Sequence, residues 1–148
     1  MTPVVLDTNI VLDLLLFQNP QVQGLRQALD QQQLRWLATP PMREELVRVL
    51  AYPKIAPVLA RLGHSAASLL AQWDALVSVV EVAPRCVVRC RDPDDQMFID
   101  LAVAHRAQLL SKDALVLRLA RRLLPLGVVV VVGPLGSAKA PSLPVSAD

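Results

Sequence analysis

The sequence predicts an α/β domain, a three-layer α/β/α sandwich around a central parallel sheet of four or five strands. Three observations predict it. Short, unbroken runs of Val and Leu recur along the chain, as strands covered on both faces require. Longer stretches with helical periodicity lie between them, so strand and helix alternate as right-handed parallel crossovers demand. Hydrophobic residues make up 53% of the chain but aromatic ones only 3%. The core must then be built from Leu, Val and Ala, which suits helices on a sheet better than an all-β sandwich.

The elements follow in order. Pro3–Asp7 is the first strand, because Val4-Val5-Leu6 is an apolar run closed by a carboxylate. Thr8–Phe17 is a helix that breaks near Asn19-Pro20, and Gln21–Gln32 is a helix with a polar face. Arg35–Ala38 is the second strand. Thr39 is a good N-cap and Pro40-Pro41 is tolerated in a first turn, so a helix runs from there to about Ala51, ahead of Pro53. Ile55–Leu62 and Ser65–Val77 are two more helices, separated by Gly63-His64. Ser78–Val82 is the third strand. Asp92-Pro93 opens a helix to Arg106, Ala107–Ser111 is the fourth strand, Ala114–Leu123 is helix and Val128–Val132 is the fifth strand. From Gly133 onward Pro, Ser and Ala predominate. Residues 1–133 are therefore expected to form the domain and residues 134–148 a flexible tail.

Bulk properties exclude some classes. The formal net charge is +2, and the lysines are only Lys54, Lys112 and Lys139. Such mild basicity does not by itself identify a partner. Cys86 and Cys90 are too few for a zinc site of about four ligands and read as free thiols. No apolar run reaches the ~18 residues of a membrane span, since Leu123–Val132 is interrupted by Pro125 and Gly127. The expected compartment is the cytoplasm, with no membrane partner.

The acids carry the chemistry. Asp7 ends one apolar run and Asp113, in Leu109-Leu110-Ser111-Lys112-Asp113, ends another. Ligands of open α/β sheets bind beyond the carboxyl ends of the strands. Asp92-Pro93-Asp94-Asp95 is how a helix start is normally written, which accounts for Asp92 as a cap and in part for Asp94. Asp95 precedes Phe98 by three and Ala102 by seven, on the stripe that packs toward the sheet. Glu44 stands four before Arg48 and reads as a surface ion pair. Glu45, three after Met42 and four before Val49, lies closer to the buried face, where a carboxylate is costly unless paired or metal-bound. Asp13 and Asp74 read as helix-surface acids, Asp30 as helix-end chemistry, and Asp100 as off to one side. His64 sits in a turn and His105 on an apolar stripe, and neither is needed as a ligand or base.

The remaining set is Asp7, Glu45, Asp95 and Asp113. Four converging carboxylates repel unless protonated or shared with a cation. Oxygen-only ligation points to Mg2+ or Mn2+ rather than zinc. Thr8, Asn9 and Ser111 are placed to hold those carboxylates or a water by hydrogen bonds.

This arrangement resembles the PIN-domain nucleases, in particular the VapC-like toxins of bacterial type II toxin–antitoxin pairs. The likeness runs from Val4 to about Val132. It is carried by Asp7-Thr8-Asn9 after the first strand and by Glu45 ahead of a leucine-bearing helix end through Tyr52-Pro53-Lys54. It is carried further by Asp92-Pro93-Asp94-Asp95 before an alanine-bearing helix, and by Ser111-Lys112-Asp113, where Ser replaces the more usual Thr. The doubled acids leave Glu44 versus Glu45 and Asp94 versus Asp95 open to a one-residue slip. The resemblance implies a metal-dependent ribonuclease, often a homodimer, inhibited by a cognate antitoxin. Cleavage by water would leave a 5′-phosphate and a 3′-hydroxyl. Arg85, Arg89 and Arg91 precede the acidic helix start and are candidate contacts to RNA phosphates, with Arg121-Arg122 a second patch. An Asp-based phosphatase is disfavoured because Asn9 stands where its second Asp would be. A receiver domain is disfavoured by the lack of paired acids after the first strand. A PIN-like module that binds RNA or protein without cutting stays open as the alternative.

Overall fold

The structure, a computed structural model, describes residues 1–132. The tail expected over residues 134–148 lies outside the described residues. Five parallel strands form one sheet: β1 (Thr2–Leu6), β2 (Leu34–Ala38), β3 (Val77–Val79), β4 (Gln108–Ser111) and β5 (Val130–Val132). Their spatial order is β3-β2-β1-β4-β5. The chain therefore winds outward from β1 to β3, then crosses back and winds outward through β4 and β5. The direction reverses between β1 and β4, and that switch point is where open α/β sheets take their ligands.

Among the described residues, eight α-helices connect the strands: α1 (Thr8–Leu15), α2 (Gln23–Asp30), α3 (Pro40–Leu50), α4 (Ala56–Arg61), α5 (Ala66–Leu76), α6 (Pro93–His105), α7 (Ala114–Leu117) and α8 (Ala120–Leu123). Central strands have no solvent face. Val4 and Val5 of β1 and Leu109 of β4 are 0% exposed, which is why their sequence runs apolar without alternation. Helix α1 is buried from Ile10 through Leu15, on all sides. The rest of the core is mainly aliphatic, with Phe98 of α6 buried in it and an aromatic corner where Trp36 of β2 meets Trp73 of α5 edge to face, ring centroids 6.3 Å apart. Arg43 lies over Trp73 and binds Asp74 through two contacts of 2.8 Å. Asp74 is thus a surface acid as the sequence predicts, but a partnered one.

The structure differs from the sequence reading in places that packing explains. β3 starts at Val77 and stops at Val79, short of Val82, because its one neighbour, β2, ends at Ala38. The Val80 amide still reaches the Ala38 carbonyl at 2.9 Å, and beyond it there is no ladder to join. The helix expected over Ala114–Leu123 is two short ones. The amides of Leu119 and Arg122 bond three residues back, to Val116 and Leu119 at 3.0 Å each. That tightening keeps Val116, Leu119 and Leu123 all buried. His105 is exposed at the end of α6, not on its buried stripe. The helix closes at Arg106, which takes a left-handed φ of 50°. Gly127 has φ 86°, and a Cβ there would stand 3.0 Å from the Arg106 side chain, so glycine serves both the turn and the close approach.

Candidate functional site

Three aspartates sit at helix N-caps facing the switch point. Asp7 follows β1 and caps α1, accepting from the Ile10 amide at 3.0 Å. Asp113 follows β4 and caps α7, accepting from Leu115 at 2.8 Å. Asp92 caps α6, accepting from Asp94 at 2.9 Å. Short polar side chains are favoured at such positions because they satisfy an orphan amide. A carboxylate has two oxygens, so one can cap while the other stays free.

The three aspartates share a cleft of about 310 Å³ lined by six carboxylates: Asp7, Glu45, Asp92, Asp94, Asp95 and Asp113. Asp92, Asp95 and Asp113 each offer an oxygen within 4.8 Å of the others. All four acids singled out from sequence therefore reach one cleft. The tightest group, however, includes Asp92, which the sequence reading assigned to capping alone. Glu45 and Asp95 are half-buried whereas Glu44 and Asp94 are exposed. Glu44 forms no ion pair with Arg48 among the described residues. Such a solvated pair is worth only ~0.3–0.5 kcal/mol, too little to hold two long side chains together.

The electrostatics are those of an unneutralised cluster. Burial pushes the Asp7 carboxyl up, against hydrogen bonds from Ser111 and Ile10, and the Asp113 charge adds to the rise. Burial likewise raises Glu45, opposed by its neighbour Thr8 and reinforced by Asp94. Asp95 is pushed up to about 7 by burial first and then by the Asp113 and Asp92 charges. Burial also raises the Cys90 thiol, with Asp95 and Asp113 adding to it. One oxygen each of Glu45 and Asp95, Oε2 and Oδ2, is buried with no hydrogen-bond partner. Unpartnered buried oxygens are costly, and a cation among them removes both the repulsion and the vacancy in their bonding.

The neighbours expected to support the acids are divided. Ser111 is fully buried; its hydroxyl donates to Asp7 Oδ2 and accepts from the Asp113 amide at 3.0 Å, so it ties the ends of β1 and β4 together. Thr8 lines the cleft beside Glu45. Asn9 lines it too, but is exposed. Asp13 is buried, not on the helix surface, and its Oδ2 lies 2.6 Å from Lys112 Nζ. Its sequence signal was a charge within an otherwise apolar helix.

Arg85, Arg89 and Arg91 lie exposed on the loop between β3 and α6, and none of them lines the cleft. The loop is pinned to α6 from below. Gln96 donates to the Val88 carbonyl at 2.9 Å and accepts from the Cys90 amide at 2.7 Å. Asp100 accepts from the Cys86 amide at 3.0 Å and from Gln96 at 2.8 Å. Asp100 is off the cleft, as expected, but buried in this loop support. Cys86 and Cys90 are free thiols. Arg121 and Arg122 are exposed near the end of α8. Sequence reasoning counted Tyr52 and Lys54 only toward the family likeness and gave them no role, yet both also line the cleft. A larger cleft of about 410 Å³, beside the end of α1, is lined by Gln18, Asn19, Gln23 and Arg26 among others and by no acid. Chemistry rather than volume separates the two.

Comparison with known proteins agrees with this fold. The PIN domain family matches residues 3–120. The fold is similar to the crystal structure of VapBC2 from Rickettsia felis bound to a DNA fragment from their promoter. The TM-score is 0.58 at 11% identity, over 88% of this chain and 98% of that one. No curated protein matches the sequence. No helix among the described residues is long and apolar enough to cross a membrane.

Proposed function

The chain belongs to the PIN-domain family, and from that premise we propose that it is a divalent-metal-dependent endoribonuclease, the toxin of a toxin–antitoxin pair. One observation carries the reading: carboxylates from three helix starts and from α3 converge on one cleft with buried oxygens left unpartnered. An all-oxygen donor set fits Mg2+ or Mn2+. Asp92, Asp95 and Asp113 would hold the ion most closely, with Asp7 and Glu45 completing the set. A divalent ion bound there supplies the positive charge that lowers the pKa of water and offsets charge on phosphoryl oxygens.

The chain's own residues do the rest. Ser111 fixes the Asp7 carboxylate and the Asp113 backbone in one frame. Thr8 and Asn9 orient what enters beside Glu45. Arg85, Arg89 and Arg91, on their pinned loop, contact flanking phosphates of the RNA. With water as the nucleophile and the 3′ oxygen as the leaving group, the products carry a 5′-phosphate and a 3′-hydroxyl. The likeness to VapBC2 supports an antitoxin protein as partner. The helices α4 and α5, with Leu62 at 46% exposure, offer apolar surface for that partner or for a homodimer contact. The cytoplasm is the compartment in which such a protein meets its RNA.

The test is cleavage of a labelled RNA by the purified protein with Mg2+, with EDTA, and by Asp7→Asn. Cleavage is expected only in the first. Equal cleavage in all three would trace the activity to a contaminant and remove the reading.

A further inference from the structure

The turn joining α3 to α4 carries Tyr52 and Lys54 onto the rim of the acidic cleft. The turn is fixed by its own backbone. The Tyr52 amide donates to the Val49 carbonyl at 3.0 Å, and the Tyr52 carbonyl accepts from Ile55 and Ala56 at 2.9 Å each. Pro53 restricts the backbone between them. Both side chains are nonetheless exposed, Tyr52 to 51%. An exposed ring on a rigid turn is a surface held ready at low entropic cost.

Lys54 has a distinctive setting. It is the one cation among the described residues lining a cleft with six carboxylates. Yet the ion pairs among the described residues are Arg26–Asp30, Arg43–Asp74 and Lys112–Asp13, and Lys54 is in none of them. Lys112, by contrast, is committed to Asp13 at 2.6 Å. A free ammonium beside an exposed aromatic ring is what a flexible polyanion with π-faced bases needs. The ring stacks a base and the ammonium neutralises a phosphate. In a duplex the base faces are already stacked on one another and out of reach.

We propose that Tyr52 and Lys54 form a subsite for one unpaired nucleotide beside the scissile phosphate, with its base stacked on Tyr52 and its phosphate at Lys54 Nζ. The proposal rests on the ribonuclease reading above and sharpens it. The substrate is single-stranded at that nucleotide, and the turn between α3 and α4 selects it.

The test reads binding apart from cleavage. A fluorescent single-stranded oligoribonucleotide is titrated with the full chain in Ca2+, and its anisotropy is followed. Tyr52→Ala is expected to weaken binding ~10-fold, within the range of one lost base stack, and Tyr52→Trp to restore it. Lys54→Ala is expected to weaken binding and to reduce the slope of log K against log salt by ~0.7, as one lost phosphate contact on a single strand requires. The same oligonucleotide annealed to its complement is expected to bind parent and Tyr52→Ala alike. Parental affinity in both Ala variants overturns the subsite, even where the parent cleaves RNA with Mg2+. If instead the parent binds through Tyr52 and Lys54 but leaves RNA intact with Mg2+, the nuclease reading fails and the subsite stands.

Discussion

Helix α6 carries two polar clusters within nine residues, and they are built on opposite principles. At its start, Asp92 and Asp95 crowd against Asp113, and Asp95 Oδ2 is buried without a partner. One turn on, Gln96 and Asp100 are also buried, but their bonds to Cys86, Val88, Cys90 and each other account for them. Gln96 and Asp100 are the more deeply buried residues, yet they are the ones whose bonds are accounted for. A polar group that serves the fold is satisfied by the fold. One left unsatisfied at the switch point of a sheet awaits something from outside. Asp13 obeys the first rule, buried but matched by Lys112.

The sharpest way to break this contrast is to neutralise one member of each cluster. Asp95→Asn should lower RNA cleavage by at least about a hundredfold, since even residues that only support a metal ligand cost 10–100-fold. Its metal-free melting temperature should hold or rise, because a repelled charge is removed. An active Asp95→Asn protein would end the distinction. Gln96→Leu should do the reverse. It strands the Val88 carbonyl and the Cys90 amide at ~1–3 kcal/mol for each unpaired group, so urea unfolding should show a loss of about 3 kcal/mol. Ion affinity should fall less than stability does.

A smaller effect lies in pH. Asp95 binds its proton more tightly in the folded chain, at about 7, than in the unfolded chain, at about 4. The folded state therefore holds more protons across that window, and stability must fall as pH rises through it. Asp95 is only partly buried, and solvent screens part of the repulsion. A loss of ~1 kcal/mol, or about 3 °C in melting temperature for a domain of this size, is expected between pH 5 and 8 without metal. Saturating Mn2+ should flatten the profile, and Asp95→Asn should reduce it to the smaller slope left by Asp7 and Glu45. A profile unchanged by both would show that the cluster does not set the charge balance. The smallest effect separates two neighbours. Glu44→Gln should leave stability within ~0.5 kcal/mol and cleavage unchanged, while Glu45→Gln should stop cleavage. Equal behaviour would mean that helical phase failed to tell them apart.

Much of this was legible in residue order. The apolar runs at Val4–Leu6 and Leu109–Leu110 announced buried parallel strands, and the placement of Asp7 and Asp113 after them followed from the topology of such sheets. Helical phase separated Glu45 from Glu44 and Asp95 from Asp94, in agreement with their burial. Asp92 was legible only by half. Its cap role is local and written in Asp-Pro, but it also brings a carboxylate oxygen within 4.8 Å of one on Asp113, 21 residues on, and no local pattern encodes that. Asp13 was misjudged because α1 is buried on every side from Ile10 to Leu15, so the stretch around Asp13 has no surface face. Tyr52 and Lys54 were given no role from sequence because a turn residue gains meaning only from the wall it faces.

The sequence by itself determined the strands, the helices and their polarity, because hydrophobic period and capping chemistry act over a few residues. Which oxygens stand together, which lysine is spoken for, and which carboxylates are left unmatched were decided by the tertiary structure. Those are properties of distances across the sheet, set by the β3-β2-β1-β4-β5 order, and electrostatic energy depends on separation in space rather than along the chain.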